Sequence, residues 1–294
     1  MRMQFVSKIE GNLRSFKNIF TRRRTSCVLD GSYASVFKGK SMNFDELREY
    51  VAGDDVKDID WKATSRSGKV LVRQYVAEKK HNVMFLLDSN RRMLGSTKSH
   101  EEKRTLAIMA AGSLALMVNR NADYVGMTFM DGTKLKHHPF RTGLANIEIM
   151  LEEYYRSVRE NNASDLNKTI EYILKSYNRK MVIFLVSDIQ GFHDISDQNL
   201  RRLKANHDVL ALTMNDADFA KGKLYDLTDD HYVDDFFLKD KKLCRLIAKR
   251  KEELSEENEE RFKVHGIVQA EFDNSPELEK DLIEMLSRHK FEKR

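Results

Sequence analysis

Asp88 and Asp188 are the residues best placed to do chemistry, because each stands at the end of a short continuous apolar run. The first run is 83–87, ending directly in Asp88, and the second is 181–186, ending in Ser187-Asp188. Continuous apolar runs alternating with helical segments indicate parallel strands covered on both faces. In open sheets of that kind, ligands bind beyond the carboxyl ends of the strands. If the two strands are neighbours, both carboxylates face one crevice. Carboxylates and hydroxyls around a crevice are what a hard divalent cation requires. The plainer reading of the same residues is that they tie down loops.

Other groups invite chemistry with less support. Gly53-Asp54-Asp55 offers paired carboxylates, but Val56-Lys57-Asp58-Ile59-Asp60-Trp61 follows where a metal-dependent hairpin needs an apolar strand. The structural alternative is a glycine turn whose aspartates cap a helical turn or pair with Arg48, Arg66 or Arg73. Trp61, the only tryptophan, reads as an anchor fixing this segment to the body. Residues 34–41 resemble a loose phosphate-binding loop around Lys40, yet the polar stretch 26–32 upstream is a poor strand, and 42–44 delay any helix. His137 and His138 are adjacent, so on an extended segment they point to opposite faces and make a poor chelate. Cys27 and Cys244 have no neighbours suggesting a nucleophile and are too few for a disulfide framework, which fits a reduced, cytoplasmic protein. No catalytic constellation emerges, so the chain is not expected to be an enzyme.

The elements that must position Asp88 and Asp188 follow from hydrophobic period. Strands are expected over 70–76, 83–87, 124–130, 181–186, 209–214 and 266–272. Helices are expected over 101–119, 144–160, 166–177, 239–263 and 276–289, with helical character over 44–50. The fold class is therefore α/β, a doubly wound, mostly parallel sheet. Its 294 residues are 41% hydrophobic and 33% charged, enough to bury a core beneath a highly charged surface. Two prolines exclude proline-rich and turn-dense all-β classes.

The net charge of +5 is unevenly placed. Residues 1–24 hold seven basic side chains and one acid, while the remainder sums to −1. Phe5, Ile9, Leu13, Phe16 and Phe20 recur at helical spacing within that arm. Two readings stay open: a basic amphipathic helix lying on an anionic membrane surface, or a helix packed on its own domain. Nucleic acid is not an expected partner, since the body offers no basic stripe to extend the arm. Nothing reaches the roughly 20 apolar residues of a membrane span. The expected organisation is a basic arm (1–25), a mixed segment (26–80) and an α/β domain (81–294).

A dense pattern lies in the second part. Phe37-Lys38-Gly39, Phe44, Arg48-Glu49-Tyr50, Gly53-Asp54-Asp55, Ile59-Asp60-Trp61, Ser65-Arg66 and Val72-Arg73 resemble the signature of domain-of-unknown-function family 58. In that family the signature precedes a von Willebrand factor A-like domain, and the likeness covers about residues 28–294. The resemblance makes Arg48, Tyr50, Gly53, Asp54, Asp55, Asp60, Trp61 and Arg66 structural signature positions. It also implies a metal-ion-dependent adhesion site. Asp88 matches its first aspartate, Asn90 replaces the first serine, and Arg92 replaces the second. Ser164 matches the threonine position and Asp188 the last aspartate. A Mg²⁺, if held, would sit on Asp88, Asn90, Ser164 and Asp188.

Arg92 changes that expectation. A guanidinium is charged at every accessible pH and has no acceptor, so it opposes a dication and can take its place by pairing with both aspartates. The expectation is a degenerate, metal-free adhesion site that binds an acidic side chain directly. Ser164 has a blander reading as a helix N-cap. The resemblance further implies a cytoplasmic, non-catalytic adaptor that works with a MoxR-type AAA+ ATPase and a client protein. The alternatives are a metal-dependent hydrolase using Asp54, Asp55, Asp88 and Asp188, and a nucleotide-binding protein using Lys40.

Overall fold

A computed structural model describes residues 4–15, 46–51, 56, 59–74, 80–217, 225–226, 231–232 and 241–292. Lys40, Gly53, Asp54, Asp55, Phe16, Phe20 and Cys27 lie outside the described residues.

The central sheet has six strands: β3 (Asn82–Leu87), β4 (Tyr124–Asp131), β5 (Lys134–Arg141), β6 (Val182–Asp188), β7 (Asp208–Met214) and β8 (Val268–Phe272). Their spatial order is β8-β7-β6-β3-β4-β5. Every pairing is parallel except that of β4 with β5. Every residue of β6 and β7 is buried, as strands covered on both faces must be. The chain leaves β3 toward β4 on one side and β6 toward β7 on the other. The gap between β3 and β6 is thus the topological switch point, where open sheets of this order bind ligands. This is the doubly wound, mostly parallel α/β architecture expected above.

Helices cover both faces. One face holds α3 (Lys103–Arg120), α4 (Leu144–Ser157) and α9 (Leu278–Glu292). The other holds α5 (Leu166–Ser176), α7 (Asp197–Asn206) and α8 (Lys241–Val264), with the short α6 (Ile189–His193) at the end of β6. Helix α3 is buried continuously from Leu106 to Val118. A helix apolar on all sides needs cover on all sides, and the N-terminal helix α1 (Gln4–Ser15) supplies the outer part.

Helix α1 packs on its own domain. Val6 and Ile9 are fully buried in the main core. A Cβ built on Gly112 of α3 would lie 2.3 Å from Ile9 Cδ1, so the Ile9 side chain packs into the space that glycine leaves open. The first turn of α1 is capped from outside: Glu148, itself buried, accepts the N–H groups of Phe5 at 2.8 Å and Val6 at 2.7 Å. A buried carboxylate is satisfied and two orphan helix donors are paired in one contact.

The signature segment forms a separate two-stranded antiparallel sheet, β1 (Glu46–Glu49) with β2 (Leu71–Gln74), bridged by α2 (Trp61–Ser67). Residues 46–49 are therefore strand, where helical character was expected. Pairing of Arg48 with Val72 across the ladder overrides the weak local preference. Asp60 caps α2 by accepting the N–H groups of Lys62 and Ala63 at 3.0 Å. Trp61 does not anchor the segment: it is 65% exposed. Tyr50 is partly exposed and Arg66 is exposed in the last turn of α2.

Replacing Glu148 with alanine leaves the Phe5 and Val6 donors unpaired under cover. It is expected to lower stability by about 1–3 kcal/mol in urea titration, by the cost of unsatisfied buried donors.

Candidate functional site

Strands β3 and β6 are hydrogen-bonded neighbours, and Asp88 N donates to Val186 O at 2.8 Å across them. The two aspartates accordingly share one crevice at the carboxyl ends of the strands. Both are nearly inaccessible, at 2% and 1% exposure. Ser164 comes from the loop before α5 and donates its Oγ proton to Asp88 Oδ1 at 2.6 Å. Asn90 donates its backbone N–H to the same oxygen at 2.9 Å and its side-chain amide to Ser164 O at 3.2 Å. All five predicted residues therefore converge. Ser164 is not the helix cap; Asp165 caps α5 by accepting the N–H of Asn167.

Arg92 lies in the single helical turn Arg91–Leu94, which Asn90 caps by accepting the Arg92 N–H at 3.1 Å. Its guanidinium enters the crevice. Nε stands 3.4 Å from Asp188 Oδ1, and Nη2 stands 3.6 Å from Asp88 Oδ2 and 3.5 Å from Asp194 Oδ2. None of the described bonds uses Nη1. The side chain keeps 31% of its surface exposed.

A second cation was not foreseen. Lys103, buried in the first turn of α3, donates to Asp188 Oδ2 at 2.9 Å and also pairs with Asp216. A lysine preceding an apolar helix reads as solvated surface, so nothing in the local sequence marks it. Asp216 could have been found: it follows strand β7 by two residues, at the same end of the sheet as Asp88 and Asp188.

The remaining contacts fix the shape. Ser187 Oγ donates to Asp88 Oδ2 at 2.8 Å, and Gly191 N donates to Asp188 Oδ1 at 2.8 Å. A Cβ on Gly191 would fall 2.1 Å from Ser187 Oγ and 2.5 Å from Asp88 Oδ2, so any larger residue at this position of α6 would push these hydrogen-bonded side chains out of place. Tyr154 donates its hydroxyl to Asp88 O at 2.7 Å. Asn162 donates to Ser157 O at 2.8 Å and accepts from Gly132 N at 3.2 Å, tying the crevice loops together.

The two aspartates are electrostatically unlike. For Asp88, burial and then the neighbouring Asp188 push the carboxyl above its usual range, and Arg92, Ser164 and Asn90 only partly offset them. For Asp188, burial pushes upward as well, but Lys103 and Arg92 more than reverse it and hold the group below its usual range. Burial pulls Lys103 down, yet Asp188 and Asp216 keep it above its ordinary value and charged. The same balance, set by Asp188, Asp88 and Asp194, holds for Arg92.

This donor set does not fit a hard dication. Oxygens that would ligate it already accept hydrogen bonds from the chain, and an ammonium and a guanidinium stand within 2.9–3.6 Å of them. Two unit charges 4 Å apart repel by about 4 kcal/mol at an effective dielectric near 20, and a dication doubles that.

The histidine pair behaves as strand geometry requires. His137 on β5 bridges Thr128 Oγ1 at 2.9 Å and Tyr177 Oη at 2.8 Å, while His138 faces Glu153 at 3.3 Å.

Comparison with known proteins bears on the family. Residues 46–224, more than half of the chain, match the family described as Protein of unknown function DUF58. The chain belongs to this family. Uncharacterized protein Rv1480 of Mycobacterium tuberculosis (strain ATCC 25618 / H37Rv) is 26% identical to this DUF58 chain over 211 residues. The match covers 71% of the chain and 66% of that relative's length. Among solved structures, the chain is similar to the conserved hypothetical protein BatB from Bacteroides thetaiotaomicron, with a TM-score of 0.47 at 16% identity, covering 71% of this chain and 98% of that one. An aerotolerance-related membrane protein from Bacteroides fragilis NCTC 9343 gives a TM-score of 0.40 at 14% identity, covering 71% and 99%. Among the described residues, no helix of the DUF58 chain is long and apolar enough to cross a membrane.

The unlike aspartates give an ordering. Asp188→Asn strips the buried Lys103 of one of its two anions and is expected to cost about 3–5 kcal/mol at pH 7. Asp88→Asn removes a carboxylate whose ionisation burial already disfavours, so it costs less. The sign with pH follows. The depressed Asp188 contributes stability above the unfolded carboxyl value of about 3.9 that is lost as pH falls through its folded value. Urea midpoints between pH 3 and 7 test both statements. Asp188→Asn should flatten the acid-side loss, and a larger cost for Asp88→Asn would contradict the assignment.

Proposed function

We propose that this DUF58 chain is a non-catalytic protein-binding adaptor, and that the Asp88–Asp188 crevice is its docking face, with Arg92 and Lys103 in the place of an adhesion-site metal. The observation that carries this reading is the Arg92 guanidinium. It is gripped along one edge by carboxylates, partly exposed, and uses none of the described bonds at Nη1. A fixed cation at the mouth of a switch-point crevice suits a carboxylate on a partner, since guanidinium–carboxylate pairing is directional as well as strong.

Catalysis is the weaker reading of the same atoms. Asp88 and Asp188 spend their oxygens on Asn90, Ser164, Ser187, Gly191 and Lys103, which leaves neither free to act as base or nucleophile. For the partner, we carry over the family resemblance: a MoxR-type AAA+ ATPase, with a client protein presented to it. Arg92→Glu reverses the charge at the docking point and is expected to weaken the ATPase complex by about tenfold or more. Pull-down with the purified ATPase measures it, and undiminished capture by Arg92→Glu would place docking on another surface.

A further inference from the structure

The crevice holds four carboxylates, Asp88, Asp188, Asp194 and Asp216, against two cations, Arg92 and Lys103. With every group ionised, it repels the acidic partner that Arg92 would otherwise attract. One of the four is unlike the rest. Asp88 and Asp188 are sealed in by hydrogen bonds, and Asp216 is paired with buried Lys103. Asp194, which follows α6, has a side chain 49% exposed. Its Oδ2 reaches Arg92 Nη2 at 3.5 Å, an ion pair too long to be a hydrogen bond in the described geometry, and its Oδ1 accepts only from the exposed amide of Gln190 at 2.7 Å.

The backbone at Asp194 is fixed, while its carboxylate is held only by the exposed Gln190 amide and the Arg92 guanidinium. Asp194 N donates to Gln190 O at 3.0 Å, and Asn167 Nδ2 donates to Asp194 O at 2.9 Å. Rotation about the side chain therefore frees the guanidinium without moving the loop. We propose that Asp194 is an internal competitor: it holds Nη2, one of the two nitrogens of the outer Nη1–Nη2 edge, so a partner's carboxylate can pair with Nη1 and Nη2 together only by displacing it. The inference rests on the reading of the crevice as a carboxylate-binding face. It adds a threshold: only a partner whose acid binds Arg92 better than Asp194 does is retained, and this discriminates against free small carboxylates.

The test uses the full chain labelled with ¹⁵N-arginine, following the Arg92 Nε–H resonance (assigned by its loss in Arg92→Lys) during titration with sodium acetate against sodium chloride. Asp194→Asn is expected to respond at about two- to fivefold lower acetate than wild type, the range set by a partly exposed ion pair. Asp194→Ser should behave alike, which separates loss of the charge from any peculiarity of asparagine. Equal or weaker acetate response in both variants overturns the competition. The ATPase pull-down separates this from the proposed function. If Arg92→Glu loses the complex while the Asp194 variants gain no acetate response, docking at the crevice stands and the competitor role falls. If the variants gain acetate response while Arg92→Glu still captures the ATPase, Asp194 guards a carboxylate site that the ATPase does not use.

Discussion

Two carboxylates buried at the ends of adjacent parallel strands are tolerable only if positive charge is buried with them. An isolated ion in a protein interior costs several kcal/mol even after relaxation. Here the compensation comes from the chain itself. Lys103 enters from the first turn of α3, Arg92 enters from the turn after β3, and each is shared between carboxylates. The sharing is unequal, and so are the aspartates. Asp188 lies between both cations and is held ionised, whereas Asp88 meets chiefly hydroxyl and amide donors and resists ionisation.

Much of the surrounding architecture serves that arrangement. Gly191 lacks the Cβ that would collide with Ser187 and Asp88, so α6 can start hard against the carboxylates and direct its N–H at Asp188. Tyr154 reaches from α4 to the backbone of Asp88, and Asn162 joins three loops around the rim. Side chains held at both ends have little freedom left to lose, so the crevice is preformed.

The strands were readable because burial on both faces leaves continuous apolar runs, as in 83–87 and 181–186. Edge strand β5 was not, since its residues alternate exposed with half-buried and include Pro139, a pattern that resembles a loop. The convergence of Asp88, Asn90, Arg92, Ser164 and Asp188 followed from strand ends plus family likeness. Lys103 did not, because only tertiary burial separates a buried lysine from the solvated ones nearby. Trp61 shows the opposite failure: size and apolarity suggested an anchor, but the short α2 leaves its face to solvent.

Glu148 and Gly112 carry a consequence for where this protein's independent unit ends. The stretch shared with the family begins at residue 46, yet the outer wall of α3 is closed by Val6 and Ile9, far upstream. Removing residues 1–45 alone would bare an alanine-, leucine- and methionine-rich surface of α3 to water and leave the Glu148 carboxylate facing an empty groove. Such a fragment would self-associate before it could report on the crevice. The autonomous folding unit therefore includes a leading helix that lies outside the family boundary.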